Sequence, residues 1–122
     1  MDKVKRAKDL IRDTLAQGRS PCFTCSFQAE DVVVLHLLLQ ERPGLPVLFL
    51  DTGYHFPEVY EYRDLLQKKL GFHLVNLLPE ISRQEQERLY GRLYETDPGR
   101  CCELRKVRPL FQALAAYDTW FT

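Results

Sequence analysis

The chain has 122 residues, 45% of them apolar, which is enough for one domain with a real core. Lysine plus arginine number 17 and aspartate plus glutamate also 17, a balance that argues against a dedicated nucleic-acid binder with its basic surplus. The charged opening MDKVKRAKDL has no apolar stretch behind it, and the longest apolar run, Val32 to Leu39, is broken by His36 and far too short to span a bilayer.

In chain order, Val4, Ala7, Ile11, Thr14 and Leu15 fall at helical spacing, with Gly18 as a stop. Pro21 to Ser26 reads as a short strand. After Phe27-Gln28-Ala29-Glu30-Asp31 comes VVVLHLLLQE, apolar nearly all round, which predicts a buried helix. Val47 to Leu50 is a continuous apolar run of the kind covered on both faces in a parallel sheet. Phe56-Pro57-Glu58 opens a helix with proline and an acid in the first turn; Val59, Tyr62, Leu66 and Leu70 form its apolar stripe and Gly71 ends it. His73 to Asn76 is a third strand, and Ser82 with Glu85 makes a capping box for the next helix. A polar loop, Thr96 to Gly99, precedes Cys101-Cys102, and Val107 to Ala116 is helical again. Alternating strands and helices predict a single α/β domain over residues 1–122, a parallel sheet with flanking helices and right-handed crossovers.

Ligands of such sheets sit at the C-terminal strand ends, and two segments fall there. Ser26 to Asp31 runs from a strand end into a helix. It offers either an anion site built from free N–H groups and the Ser26 hydroxyl or an ordinary helix cap. Leu50-Asp51-Thr52-Gly53 offers a carboxylate for ribose hydroxyls and a glycine for close backbone approach, or an ordinary strand-to-loop turn. Cys22 and Cys25 have redox-pair spacing but fall in a strand, where residues three apart face opposite ways. They read as two buried structural cysteines. His36 reads as a core histidine, His55 as a surface residue that could also face a ligand, and His73 as a strand residue without a partner. Cys101 and Cys102 differ: they precede a helix, with Arg105, Lys106 and Arg108 within two turns, an environment that favours thiolates. A zinc or iron–sulfur site normally takes four ligands, so the pair is half a metal site.

Taken together, SFQAED, LFLDTGYHFPEVYEY and CCELRKVRPL, in this order, resemble the adenylyl-sulfate and phosphoadenylyl-sulfate reductases of sulfate assimilation. The closing YDTWFT resembles the strand that precedes that family's Thr-Gly-x-Arg segment. The resemblance implies an adenine-nucleotide α-hydrolase-like fold, and a cytoplasmic address is the default expectation for a sequence in which no secretory or membrane segment is visible. It matches Ser26, Phe27, Gln28, Ala29, Glu30 and Asp31 to a phosphate-binding loop in which Gln28 replaces the usual glycine. It matches Leu50, Asp51, Thr52 and Gly53 to a nucleotide-holding motif, Cys101 and Cys102 to ligands of a [4Fe-4S] cluster, and Lys106 to a cation near cluster and substrate. The implied reaction is thioredoxin-dependent reduction of adenylyl sulfate to sulfite and AMP. The alternatives are phosphoadenylyl sulfate as substrate, or a non-redox nucleotide-binding module of the ATP pyrophosphatase type. The implied partners are the nucleotide, thioredoxin and further copies of the chain in a homo-oligomer, with no nucleic acid or membrane. The family's downstream arginine segment, second cysteine pair and nucleophilic cysteine have no counterpart here. The chain therefore reads as the N-terminal, truncated portion of such a reductase.

Overall fold

Short apolar runs separated by helices can satisfy their backbone groups only by pairing side by side, and they do so here in one parallel sheet. The computed structural model describes residues 2–122. Strands β1 (Pro21–Thr24), β2 (Pro46–Leu50), β3 (His73–Leu77) and β4 (Thr119–Phe121) lie in the order β3-β2-β1-β4, every neighbour parallel. Register is fixed by pairs such as Phe23 with Val47, Val47 with Leu74 and Phe23 with Phe121. The predicted parallel α/β sheet with flanking helices is thus the observed fold.

Helices α1 (Asp2–Gln17), α2 (Ala29–Glu41) and α3 (Pro57–Leu70) accompany the first three strands. Ile11 and Leu15 of α1 and Leu35 and Leu38 of α2 bury against Phe23, Cys25, Val47 and Phe49, with Phe27, Leu45 and Phe72 closing the cluster. Right-handed crossovers put α2 and α3 on one face of the sheet, and the return from β3 to β4 on the other. That return carries α4 (Arg83–Tyr90), α5 (Leu93–Thr96), α6 (Pro98–Cys102), a π-turn at Glu103–Val107 and α7 (Arg108–Leu114).

Three expectations change. Helix α2 is not buried all round: Leu35 and Leu38 are, but Val33 is 60% exposed and His36 lies at the surface beside Gln40 of its own helix. In α3, Tyr62 and Leu70 are exposed, while Val59, Tyr60 and Leu66 pack on the core. The Arg63 guanidinium covers the Phe49 and Tyr60 rings at 5.2 Å each, so a cation takes the place expected of an apolar residue. Finally, the helix expected from Val107 begins at Pro98 and runs through the π-turn, so the cysteine pair sits inside it. The capping box is as expected, with Ser82 Oγ accepting from the Glu85 N–H at 3.1 Å.

Candidate functional site

At the C-terminal ends of β1 and β2 the backbone leaves the sheet and opens a cleft of about 310 Å³. Thr24, Ser26, Asp31, Leu50, Thr52, His55 and Lys106 line it. Phe27 turns the chain out of β1 with a φ of 62°, in the left-handed region that a bulky residue enters only under constraint. The constraint is visible: its ring is buried, tilted against Phe49 at a centroid distance of 5.6 Å and stacked on Phe72 at 6.1 Å. Gln28 caps α2 through its backbone alone, and Ala29 and Glu30 are exposed in the first turn. The Ser26 N–H and hydroxyl both donate to one Asp31 oxygen, at 2.8 and 2.6 Å. A carboxylate thus holds the donors that the sequence offered to an anion.

The segment after β2 is tied from three sides. Asp51 accepts from the Tyr60 hydroxyl at 2.6 Å and from Asn76 at 3.0 Å. Burial raises its carboxyl pKa, but these two bonds, the Gly53 N–H and the nearby Arg63 outweigh burial and hold it below the usual carboxylate range. The same contact works in reverse on Tyr60, pushed up to about 12 by burial and by its bond to the carboxylate. Thr52 is buried, and its hydroxyl accepts from the Tyr54 N–H. Gly53 has a φ of 81°, and a Cβ there would stand 3.1 Å from Arg105 Nη2. It is the close approach of Arg105, as well as the backbone angle, that demands glycine. His55, expected at the surface, is half-buried; its Nε2 lies 2.9 Å from the Leu50 carbonyl and its ring is tilted against Phe49.

A second cleft, of about 480 Å³, is lined by Thr52, Tyr54, His55, Tyr94, Cys101, Cys102, Arg105 and Lys106, among others. Thr52, His55 and Lys106 therefore border both clefts. Cys101 is buried and Cys102 exposed, and both thiols are free. Thiolates are the ligands iron–sulfur clusters take, and the two sulfurs share one cleft with two cationic side chains, so they suit half of a four-thiolate set. Among the described residues no group of three or more His, Cys, Asp and Glu side chains stands together as a metal site. Neither Cys22 nor Cys25 lines the cysteine cleft; Cys25 borders the strand-end cleft instead. Both are buried, and burial pushes their thiols up to about 11 and about 12.

Of two further residues here, the sequence marked Arg105 only as a cation near the cysteines and gave no signal for Gln86. Arg105 is 3% exposed and spans three segments: it donates to the Thr52 carbonyl at 2.8 Å, the Ile81 carbonyl at 2.6 Å and Gln86 Oε1 at 3.3 Å. Gln86, fully buried, donates in turn to Cys101 Sγ at 3.6 Å. Arg108 instead pairs with Glu103 at the surface.

Comparison with known proteins identifies the family and the fold. The sequence profile of the family described as "Phosphoadenosine phosphosulfate reductase domain" matches residues 20–122. Among curated relatives, the adenosine 5'-phosphosulfate reductase of Mycobacteroides abscessus is 48% identical over 117 residues, covering 95% of this chain and 49% of that protein. The reductase of the same name from Halalkalibacterium halodurans is 43% identical over 126 residues, covering 100% of this chain and 51% of that one. The chain spans about half the length of the curated relatives it matches. The crystal structure of phosphoadenylyl-sulfate (PAPS) reductase from Candida auris, a phosphate complex, superposes with a TM-score of 0.75 at 20% identity. That match covers 89% of this chain and 55% of the other, and speaks to the fold.

Proposed function

The chain belongs to the phosphoadenosine phosphosulfate reductase domain family, and from that premise we propose that it is the N-terminal, nucleotide-binding portion of a reductase acting on adenosine 5'-phosphosulfate. The supporting observation is the shared border of the two clefts: Thr52, His55 and Lys106 face both the strand-end cleft and the cysteine cleft. A sulfated nucleotide lying across the strand ends brings its sulfate towards Lys106 and the Cys101–Cys102 pair. The identity of 48% to a reductase named for adenosine 5'-phosphosulfate supports that substrate over its 3'-phosphorylated analogue.

In this reading Ser26 and the first turn of α2 meet the phosphosulfate, with Asp31 giving up the Ser26 donors as the anion enters. Asp51, fixed by Tyr60 and Asn76, and the Thr52–Gly53 backbone hold the nucleoside. Lys106 offsets the charge of the sulfate. Cys101 and Cys102 would supply two of the four thiolates of a [4Fe-4S] cluster, which would contribute electrostatic stabilisation of the sulfate charge when bound. The reduction itself is covalent catalysis by a thiolate outside these 122 residues. That thiolate attacks the sulfate sulfur, the S–O bond to AMP breaks, and an S-sulfocysteine forms. Thioredoxin then supplies two electrons as a dithiol, releases sulfite and leaves as a disulfide.

Isothermal titration with adenosine 5'-phosphosulfate, its 3'-phosphorylated analogue, AMP and ATP tests the reading. We expect the first to bind most tightly, and no thioredoxin-dependent sulfite from the isolated chain. A preference for the 3'-phosphorylated ligand reassigns the substrate. A preference for ATP supports a pyrophosphatase-type module and overturns the reductase assignment.

A further inference from the structure

A glutamine side chain with no solvent contact must spend both ends of its amide on protein partners, or the burial is costly. Gln86 does so. Its oxygen can only accept, and Arg105 can only donate, so the 3.3 Å contact from Arg105 Nη1 fixes which way the amide lies. The NH2 group then faces Cys101 Sγ at 3.6 Å. Arg105 itself cannot swing away. Its Nε and the second Nη1 N–H are committed to the Thr52 and Ile81 carbonyls, and its Nη2 lies in the space that Gly53 leaves by having no Cβ. The line Thr52–Arg105–Gln86–Cys101 links the strand-end segment to the sulfur through three hydrogen bonds.

We propose that Gln86, oriented by Arg105, is a positioning residue for the Cys101 sulfur: it aims the sulfur into the cysteine cleft and donates an N–H···S bond that strengthens when Cys101 binds a soft metal as thiolate. The neighbouring Cys102 is exposed and has no such partner among the described residues, so the two sulfurs of the pair are held unequally. Groups that hydrogen-bond a metal ligand set its orientation and charge, and their loss typically costs ten- to a hundredfold in metal affinity. The inference rests on the reading of Cys101 and Cys102 as a ligand pair.

The experiment uses the 122-residue chain and Cd2+ alone as the probe, followed by the ultraviolet thiolate-to-metal charge-transfer band. We expect Cd2+ binding that Cys101→Ser and Cys102→Ser each weaken severely. Gln86→Glu keeps the shape and can still accept from Arg105, but turns an acceptor towards the sulfur. It should weaken binding by about tenfold or more with unchanged circular dichroism. The side-chain amide protons of Gln86, observed by NMR, should move on Cys101→Ala and on adding Cd2+. Cd2+ binding that ignores both cysteine substitutions defeats the ligand-pair reading. Binding that needs both cysteines but ignores Gln86→Glu overturns the positioning role alone. Should Gln86→Glu fail to fold, the amide resonances in the wild-type chain decide: no response to Cd2+ overturns the proposal.

Discussion

Asp51 shows how a single carboxylate becomes part of a framework. One of its oxygens takes the Tyr60 hydroxyl and the other the Asn76 amide, so α3 and β3 both lean on it. Its folded pKa lies below the ordinary value of about 3.9. The stabilisation it contributes is therefore fully present above that value and is lost as pH falls through the lower, folded one. Asp51→Asn should abolish this acid-dependent contribution and cost about 1 kcal/mol at neutral pH, since an amide nitrogen then faces one of the two donors. Urea unfolding from pH 7 down to pH 3 measures it. An unchanged acid limb in the variant would show that Asp51 carries no such linkage. At this scale the sequence spoke unevenly. Asp51, Thr52 and Lys106 stood out because a strand end and a motif drew attention to them. Gln86 lies in RQEQERLY, where four neighbouring polar side chains look alike, and only three-dimensional packing selects the one that is buried. His55 was underestimated because no local rule told that its ring would lie against Phe49.

The elements were legible wherever one apolar face decides the structure. β2 and the caps of α3 and α4 followed from apolar runs, Pro57, Gly71 and Ser82. The helix around the cysteines did not, because Pro98 and Gly99 read as loop, while Pro98 takes the first helical position, where its missing N–H costs nothing, and Asp97 caps by accepting from Arg100. The π-turn that follows admits Pro109 without a break and has no sequence signature of its own. β4 was legible through the resemblance of YDTWFT to a family strand and not through any local apolar pattern, and side chains add to its backbone pairing with β1. Asp118 accepts from the Arg19 and Ser20 N–H groups at 2.9 and 3.0 Å, and Trp120 Nε1 donates to Thr24 at 2.9 Å. Asp118→Ala should loosen β4 while leaving the helical circular dichroism intact. The single tryptophan reports it directly, with a red-shifted and more quenchable fluorescence. A spectrum identical to the wild type would mean that backbone pairing with β1 suffices.

For the whole molecule, the strand order β3-β2-β1-β4 has an energetic consequence that the parallel pattern in the sequence did not reveal. The sequence could say that strands are covered on both faces. It could not say that the return across 83–114 would seat β4 beside β1, because that contact joins segments about a hundred residues apart and depends on the sheet being already built. The result is a sheet with a rigid middle and weak margins. Phe23, Val47, Leu48 and Phe49 in β1 and β2 have almost no solvent contact, whereas β3 and β4 are partly open and Trp120 is 44% exposed. Local opening follows such differences in burial. Hydrogen exchange should therefore be slowest at the β1 and β2 amides and fastest, within the sheet, at β4. Because the strand-end cleft draws on residues 24–31 and 48–55, a saturating nucleotide should slow exchange in those two segments more than in α1, remote from both clefts. The proposed site is refuted if the ligand leaves residues 24–31 and 48–55 no better protected than α1, since binding stabilises the whole fold and only the excess at these segments reports contact. Excess protection at the strand ends that extends to Cys101 and Lys106 is what the shared border of the two clefts requires.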